Sequence, residues 1–328
     1  MEQLFKEIFI KALLLKASDI HFSLSKNGLI QIRSKGQMLE LLTINSKLYK
    51  RLMNYIKFLA NIDLNYKFKP QTGSFDYLLN NKNYSIRSSF MPSIHGESLV
   101  IRILNNHQKL ILNDLSYYPH VITKLKKLTI KEAGLIVVCG KTGSGKSTTL
   151  YTILEQIYRN TQKNIITIED PIEIQNKDFI QIQLNESMGI TFHETLRQIL
   201  RHDPDIIMIG EIRDEKSAKI ALTMALTGHL TLTTLHANNC EAAINRLLNL
   251  GLMNDELKDN LIGVIAQRMY YPNHLKTPFC VHEMIEEKEV RHYFKYREFP
   301  KYLKFKDLIN QAIKANYLTI EELNKYEG

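Results

Sequence analysis

Residues 140–147 read Gly140-Lys141-Thr142-Gly143-Ser144-Gly145-Lys146-Ser147. They stand between an apolar run, Leu135 to Cys139, and a helix-like stretch opening Thr148-Thr149-Leu150. This is the spacing of a phosphate-binding loop, and each residue type has a mechanical reason. Glycines let the backbone curl so that its N–H groups converge on a β-phosphate, Lys146 reaches the β/γ oxygens, and the Ser147 hydroxyl ligates Mg2+. The helix that follows, with Thr148 in its first turn, adds its positive N-terminal end. Gly140 through Thr148 are therefore the candidate nucleotide-binding residues, and a strand feeding such a loop and helix predicts an α/β fold.

Further apolar strands are expected at Ile165 to Ile168, Ile206 to Ile209 and Leu230 to Leu235, alternating with amphipathic helices. That alternation predicts a largely parallel sheet covered on both faces. In such sheets ligands gather beyond the strand ends, and three clusters of polar residues lie there. Glu169-Asp170-Pro171-Ile172-Glu173 puts acids after one strand. Glu211 stands just beyond four apolar residues of the next, where a carboxylate reaches Mg2+ or polarises an attacking water. Arg213 and Asp214 also read as a surface ion pair near a helix start, and for Asp214 the functional and structural readings are even. The third strand carries a histidine at each end, His229 and His236. Their spacing puts the side chains on opposite faces of a regular strand, which argues against joint zinc chelation. His229, after Gly228, is read as a γ-phosphate sensor; His236 stays open between a structural and a functional role.

The chain has 328 residues, 44% of them hydrophobic, enough for about two domains. Its first hundred residues mix helices, near 3–16 and 46–60, with strands near 20–22, 29–33, 75–79, 84–90 and 99–104, a compact α+β pattern. Asn105-Asn106-His107-Gln108-Lys109 is polar and patternless, and the division is drawn as 1–105, a linker at 106–114, and 115–328. The last forty residues read as helical. The first helix is interrupted by Lys6, Glu7, Lys11 and Lys16, so it is neither a signal peptide nor a membrane span. The net charge of +9 sits mostly in residues 1–105, which hold 15 Lys/Arg against 7 Asp/Glu. These basic residues are dispersed without interleaved aromatics, which reads as a solvated face and predicts no direct nucleic-acid binding. Three isolated cysteines, Cys139, Cys240 and Cys280, argue against disulfides and against a structural zinc site and fit a reducing cytoplasm. Arg87 and Arg102 lie on strands flanking Pro92 to Glu97; each reads either as a solvated or salt-bridged strand residue or as a group projecting towards a triphosphate.

Taken together, these motifs resemble the secretion ATPases of type II secretion and type IV pilus systems, and among them the competence-pilus assembly ATPases of Gram-positive bacteria. The likeness runs from about Leu13 to Arg268. The loop with Ser147-Thr148-Thr149-Leu150-Tyr151 looks like the family's Walker A, and Glu169 to Glu173 like its Asp box. Leu200 to Asp214 looks like its Walker B, and Thr227 to Asn238 like its His box. Ala17-Ser18-Asp19-Ile20-His21 and the Arg87 to Arg102 segment resemble its N-terminal domain with paired arginine fingers.

The resemblance implies a PAS-like α+β domain followed by a RecA-like P-loop ATPase domain, assembled as a hexamer that binds ATP and Mg2+. It implies a cytoplasmic motor at the membrane face, engaging a polytopic platform protein and driving pseudopilus assembly for DNA uptake. Ser147 and Glu211 would hold the metal, Glu211 or Glu169 the metal or attacking water, and His229, Arg87 and Arg102 the γ-phosphate. Departures are Lys141 in place of a usual proline, and Thr72 and Ser74 in place of Asp and Arg in a Pro-Gln-Asp-Gly-Arg stretch. The four-cysteine zinc insert and the extra N-terminal domain of longer relatives are not expected. A retraction or type II secretion motor is the alternative, although the retraction signature Ala-Ile-Arg-Asn-Leu-Ile-Arg-Glu is missing. A non-hydrolysing regulatory protein is the alternative from another class, opposed by the intact Glu169, Glu211 and His229.

Overall fold

The computed structural model describes residues 1–34, 36–64, 69–104, 110–184, 190, 192–272, 274–275 and 277–327. The chain divides into two units, Met1–His107 and Gln108–Gly328. Of the expected linker, residues 105–109 lie outside the described residues; Leu112–Asp114 forms one 3-10 turn.

In the first unit, period-two alternation builds one sheet. Helix α1 (Glu2–Leu14) leads into β1 (Ala17–Leu24), β2 (Gly28–Ser34) and β3 (Gln37–Ile44). Helix α2 (Ser46–Leu59) follows, and then β4 (Gln71–Leu79), β5 (Lys82–Ser93) and β6 (Gly96–Ile103). The strands pair antiparallel in the order β3-β2-β1-β6-β5-β4. Ile20 and Phe22, Ile30 and Ile32, Phe90, Leu99 and Ile101 are buried in one core with Phe5, Ile8 and Phe9 of α1 and Leu52, Met53 and Ile56 of α2. The opposite face carries the polar alternates. Asn45 caps α2, its side chain accepting from the Leu48 N–H at 2.9 Å. Strand β3 was not expected. Its run Met38-Leu39-Glu40-Leu41-Leu42 does not alternate, and pairing with β2 makes it a strand.

The second unit holds β7 (Gly134–Cys139), β8 (Ile165–Glu169), β9 (Ile180–Gln183), β10 (Ile206–Ile212), β11 (Leu230–Leu235), β12 (Leu261–Tyr270) and β13 (Phe279–Glu286). Their order is β13-β12-β7-β11-β10-β8-β9, parallel from β12 to β9, with β13 antiparallel on the edge. Around them lie α3 (Pro119–Leu128), α4 (Lys146–Thr161), α5 (Phe192–Ile199), α6 (Glu215–Leu226), α7 (Cys240–Asn249), α8 (Asn254–Asn260), α9 (Glu287–Tyr296), α10 (Phe305–Lys314) and α11 (Ile320–Glu327). Every residue of β7, β8 and β11 is buried, as a sheet covered on both faces requires. The four expected strands are present. Strands β9, β12 and β13 were not expected; β12 opens on the apolar run Leu261 to Ala266, which has no helix or strand period of its own. The last forty residues are mainly helical, with α10 and α11 and most of α9.

One buried group of β13 makes stability depend on pH. The His282 side chain is 1% exposed, Nδ1 has no hydrogen-bond partner among the described residues, and Nε2 lies 3.5 Å from Cys280 Sγ. Burial lowers its pKa from 6.5 to about 4. The unfolded chain therefore takes up a proton below 6.5 that the folded chain refuses, and stability falls as pH drops from 6.5 towards 4. The expected loss is on the order of 3 kcal/mol. In thermal melts across that range, His282→Gln should flatten the slope; an unchanged slope would show that His282 is accessible to protons.

Candidate functional site

The strand order explains which residues meet. Strand β11 lies between β7, which ends at the phosphate loop, and β10, which ends near Glu211. In register, Leu235 pairs with Cys139 on one side and Ile212 on the other. Gly140, His236 and the end of β10 therefore emerge side by side at one edge of the sheet.

The loop itself is built on positive φ. Gly140, Gly143 and Gly145 have φ of 154°, 79° and 86°, and Gly145 is the left-handed N-cap of α4. At Gly140 a Cβ would stand 2.5 Å from the Gln267 carbonyl oxygen and 2.6 Å from Ser144 Oγ, so only glycine fits. Lys141, Thr142 and Gly143 form the exposed crown, while Ser144 is buried beneath it. Gln267, from β12, donates Nε2–H to the Ser144 carbonyl at 2.5 Å. An unexpected strand thus braces the loop from the side.

Lys146 curls back over the loop, its Nζ donating to the carbonyls of Gly140 at 3.0 Å and Lys141 at 3.3 Å. Burial lowers its pKa, and the negative charge of Glu211 opposes that shift. Ser147 donates its hydroxyl to Glu173 Oε2 at 2.5 Å. Thr148 lies in the first turn of α4, its carbonyl accepting from Thr152 Oγ1 at 2.8 Å.

Glu211 is held by two neighbours. Arg213 Nε donates to Oε2 at 2.7 Å, and His236 Nε2 lies 2.9 Å from Oε1. Arg213 also reaches Asp170 Oδ2 at 3.5 Å. Asp214, by contrast, is the N-cap of α6, accepting the Ser217 N–H at 2.8 Å, and that bond lowers its pKa. A cleft of about 440 Å3 runs alongside, lined by Gly140, Lys141, His236, Asn238, Asn245 and Arg246 among others.

Two of the expected site residues have other partners. Glu169 is 4% exposed, and its Oε1 accepts from Tyr151 Oη at 2.5 Å and Thr167 Oγ1 at 2.8 Å. Burial raises its pKa, and it ties β8 to α4 inside the core. Glu173, four residues on, is the acid beside Ser147. His229 stands at the amino end of β11: its carbonyl accepts from Gly134 N–H at 3.2 Å, at the start of β7. Its ring Nδ1 lies 2.9 Å from Thr227 Oγ1 and 3.2 Å from the Met224 carbonyl. The length of β11, roughly 20 Å at strand rise, separates it from the phosphate loop of its own chain. The histidine at the site edge is His236. Chain direction is the signal that separates the two: in a parallel sheet ligands gather at the carboxyl ends of the strands, and His236 follows β11 whereas His229 precedes it.

The first unit arranges its arginines by register. Arg87 of β5 is directly opposite Arg102 of β6, which is opposite Asp19 of β1. Arg102 Nε donates to Asp19 Oδ1 at 2.8 Å, while Arg87 has no ion pair among the described residues. Thr72 and Ser74 are part of strand β4 and not of a loop, with Ser74 opposite Arg87.

Comparison with known proteins shows the family and the fold. The family model of the type II/IV secretion system protein matches residues 1–299. Competence protein ComGA of Bacillus subtilis is 38% identical over 281 residues, spanning 85% of this chain and 78% of that one. The ATPase DotB of Legionella pneumophila has the same fold, with a TM-score of 0.78 over 98% of this chain and 95% of that one at 18% identity. The pilus retraction motor PilT, solved with bound ADP, superposes with a TM-score of 0.67 at 25% identity, over 98% of this chain and 92% of that one.

Proposed function

The chain belongs to the type II/IV secretion system protein family, and on that premise we propose that it is a motor ATPase driving assembly of a competence pseudopilus for DNA uptake. One observation carries the reading: Lys146, the Ser147–Glu173 pair and the Glu211–His236 pair share one sheet edge, in a chain that follows a competence protein over most of its length.

Each residue has work to do in phosphoryl transfer, where positioning and charge stabilisation matter more than covalent chemistry. The amides of Gly140 to Thr148 and the Lys146 ammonium bind the triphosphate of ATP. Lys146 leaves its loop carbonyls for the phosphate oxygens, a stronger, charge-assisted partner. Glu211, oriented by Arg213 and His236, accepts a proton from the attacking water as its oxygen bonds the γ-phosphorus. The bond from γ-phosphorus to the bridging oxygen breaks, and ADP leaves with the charge that Lys146 offsets. Arg87 and Arg102 stabilise the charge spreading over the γ-phosphoryl oxygens. The Ser147 hydroxyl and the Glu173 carboxylate are hard oxygen donors 2.5 Å apart, a set that suits Mg2+, which takes few protein ligands beside phosphate oxygens. Ser147 with Glu173 would hold the ion, with Glu211 beyond them; when bound it offsets phosphate charge.

The chain works as a homohexamer at the cytoplasmic face of the membrane, engaging a polytopic platform protein of the pilus machine and leaving DNA to other components. In support, no helix among the described residues is long and apolar enough to cross a membrane, and the basic residues of the first unit are dispersed.

Lys146→Ala tests the reading at two levels. Losing a charged hydrogen-bond donor of about 1.5–3 kcal/mol should weaken binding of a fluorescent ATP analogue about 10- to 100-fold. In the organism that carries the chain, the same variant should block pseudopilus assembly and transformation. Normal transformation by a variant that no longer binds ATP would remove the motor assignment.

A further inference from the structure

We propose that Asp19 is a positioning residue: it holds Arg102 by Nε so that the terminal nitrogens of the guanidinium are presented to phosphate. The proposal rests on the reading of Arg102 as a residue that meets the γ-phosphate.

Asp19 lies on the polar face of β1, away from the Ile20 and Phe22 core, yet it is 4% exposed. A carboxylate so withdrawn from water is costly unless it is paired. Both of its oxygens are engaged. Oδ1 accepts from Arg102 Nε at 2.8 Å, and Oδ2 accepts from Ser18 Oγ at 2.8 Å. In register Asp19 has an arginine on either side, Arg33 of β2 and Arg102 of β6. Arg33 directs Nη1 to the Gly36 carbonyl at 3.2 Å, and the ion pair of Asp19 is with Arg102. The Arg102 side chain remains 56% exposed.

That geometry divides the guanidinium. Of five N–H donors, Asp19 takes the one on Nε, next to the stem, and leaves those on Nη1 and Nη2 for an oxyanion. Asp19 also solves a second problem. Arg87 and Arg102 are directly opposite across β5 and β6, and like charges in register repel. Neutralising Arg102 from its other side lets both arginines occupy one row, aimed outward from the same face.

Turnover by the purified full chain separates the possibilities. Asp19→Asn keeps the shape and removes the charge; it should lower kcat about 10- to 100-fold, the scale of a misplaced catalytic group, with KM for ATP unchanged. In an Arg102→Ala background the same change should alter kcat by less than about twofold, because the two residues act as one unit. Arg102→Lys, which keeps a charge beside Asp19 but has no fork, should lose nearly as much as Arg102→Ala. Wild-type kcat in Asp19→Asn, with Arg102→Ala impaired, overturns the positioning role while leaving the arginine reading intact. Losses that multiply in the double variant also overturn it. Wild-type turnover in Arg102→Lys removes the fork argument even if Asp19→Asn fails to fold. Full turnover in Arg102→Ala would instead dismiss Arg102 as a phosphate contact, and the proposal with it.

Discussion

Arg87→Ala is expected to bind ATP nearly as tightly as the unaltered chain and to hydrolyse it about 10³- to 10⁵-fold more slowly, a loss of about 4–7 kcal/mol in transition-state stabilisation. The size follows from where the charge develops. In the proposed mechanism the loop amides and Lys146 already hold the triphosphate in the ground state. As the γ-phosphoryl group transfers, negative charge spreads to oxygens that need a further cation. Arg87 has no ion pair among the described residues and sits beside Arg102 on the polar face of its sheet. No ion pair among the described residues has to break before it meets phosphate. Single-turnover hydrolysis and equilibrium nucleotide binding, measured together, decide the matter. Equal losses in both would show that Arg87 binds the ground state alone.

Glu211→Gln is expected to retain ATP binding and to lower hydrolysis about 10²- to 10⁴-fold, the contribution of a well-placed general base. The variant keeps the shape of the side chain, and one of its two polar ends still accepts a hydrogen bond. The chain should remain folded and abundant, since Glu211 is partly exposed at a strand end and outside both cores. In cells this variant should block pseudopilus assembly and DNA uptake. Expressed beside the unaltered chain, it should depress transformation more than dilution explains, because an idle subunit in a closed ring stalls its neighbours. Near-normal phosphate release would transfer the role to Glu173, the acid beside Ser147. It would not return the role to Glu169, whose carboxylate is enclosed by Tyr151 and Thr167.

The His box shows where reading a linear chain falls short. Both histidines flank the same apolar strand, and only the parallel run of the sheet makes its carboxyl end, where His236 stands, the ligand-facing one. The answer comes from β7 running parallel to β11, so that Leu235 meets Cys139 and His236 follows beside Gly140. The same holds for Glu169 and Glu173. One acid at the end of β8 lies inward beneath Tyr151, and the other lies past the strand beside a hydroxyl 26 positions earlier. Asp19 likewise finds Arg102 across 83 positions of chain.

From the sequence alone came everything with a short period or a local mechanism: the phosphate loop, the four apolar strands around it, the α+β character of the first hundred residues, and Glu211 at a strand end. Glycine spacing and apolar runs act within a few residues, so they are legible there. Only the tertiary structure decided which side chains share an edge: Glu173 beside Ser147, Gln267 of β12 bracing the loop, and Arg102 bound to Asp19. Those choices depend on strand order and register, which are settled by burying both faces of one sheet and one face of the other, and are not encoded near any of the residues concerned.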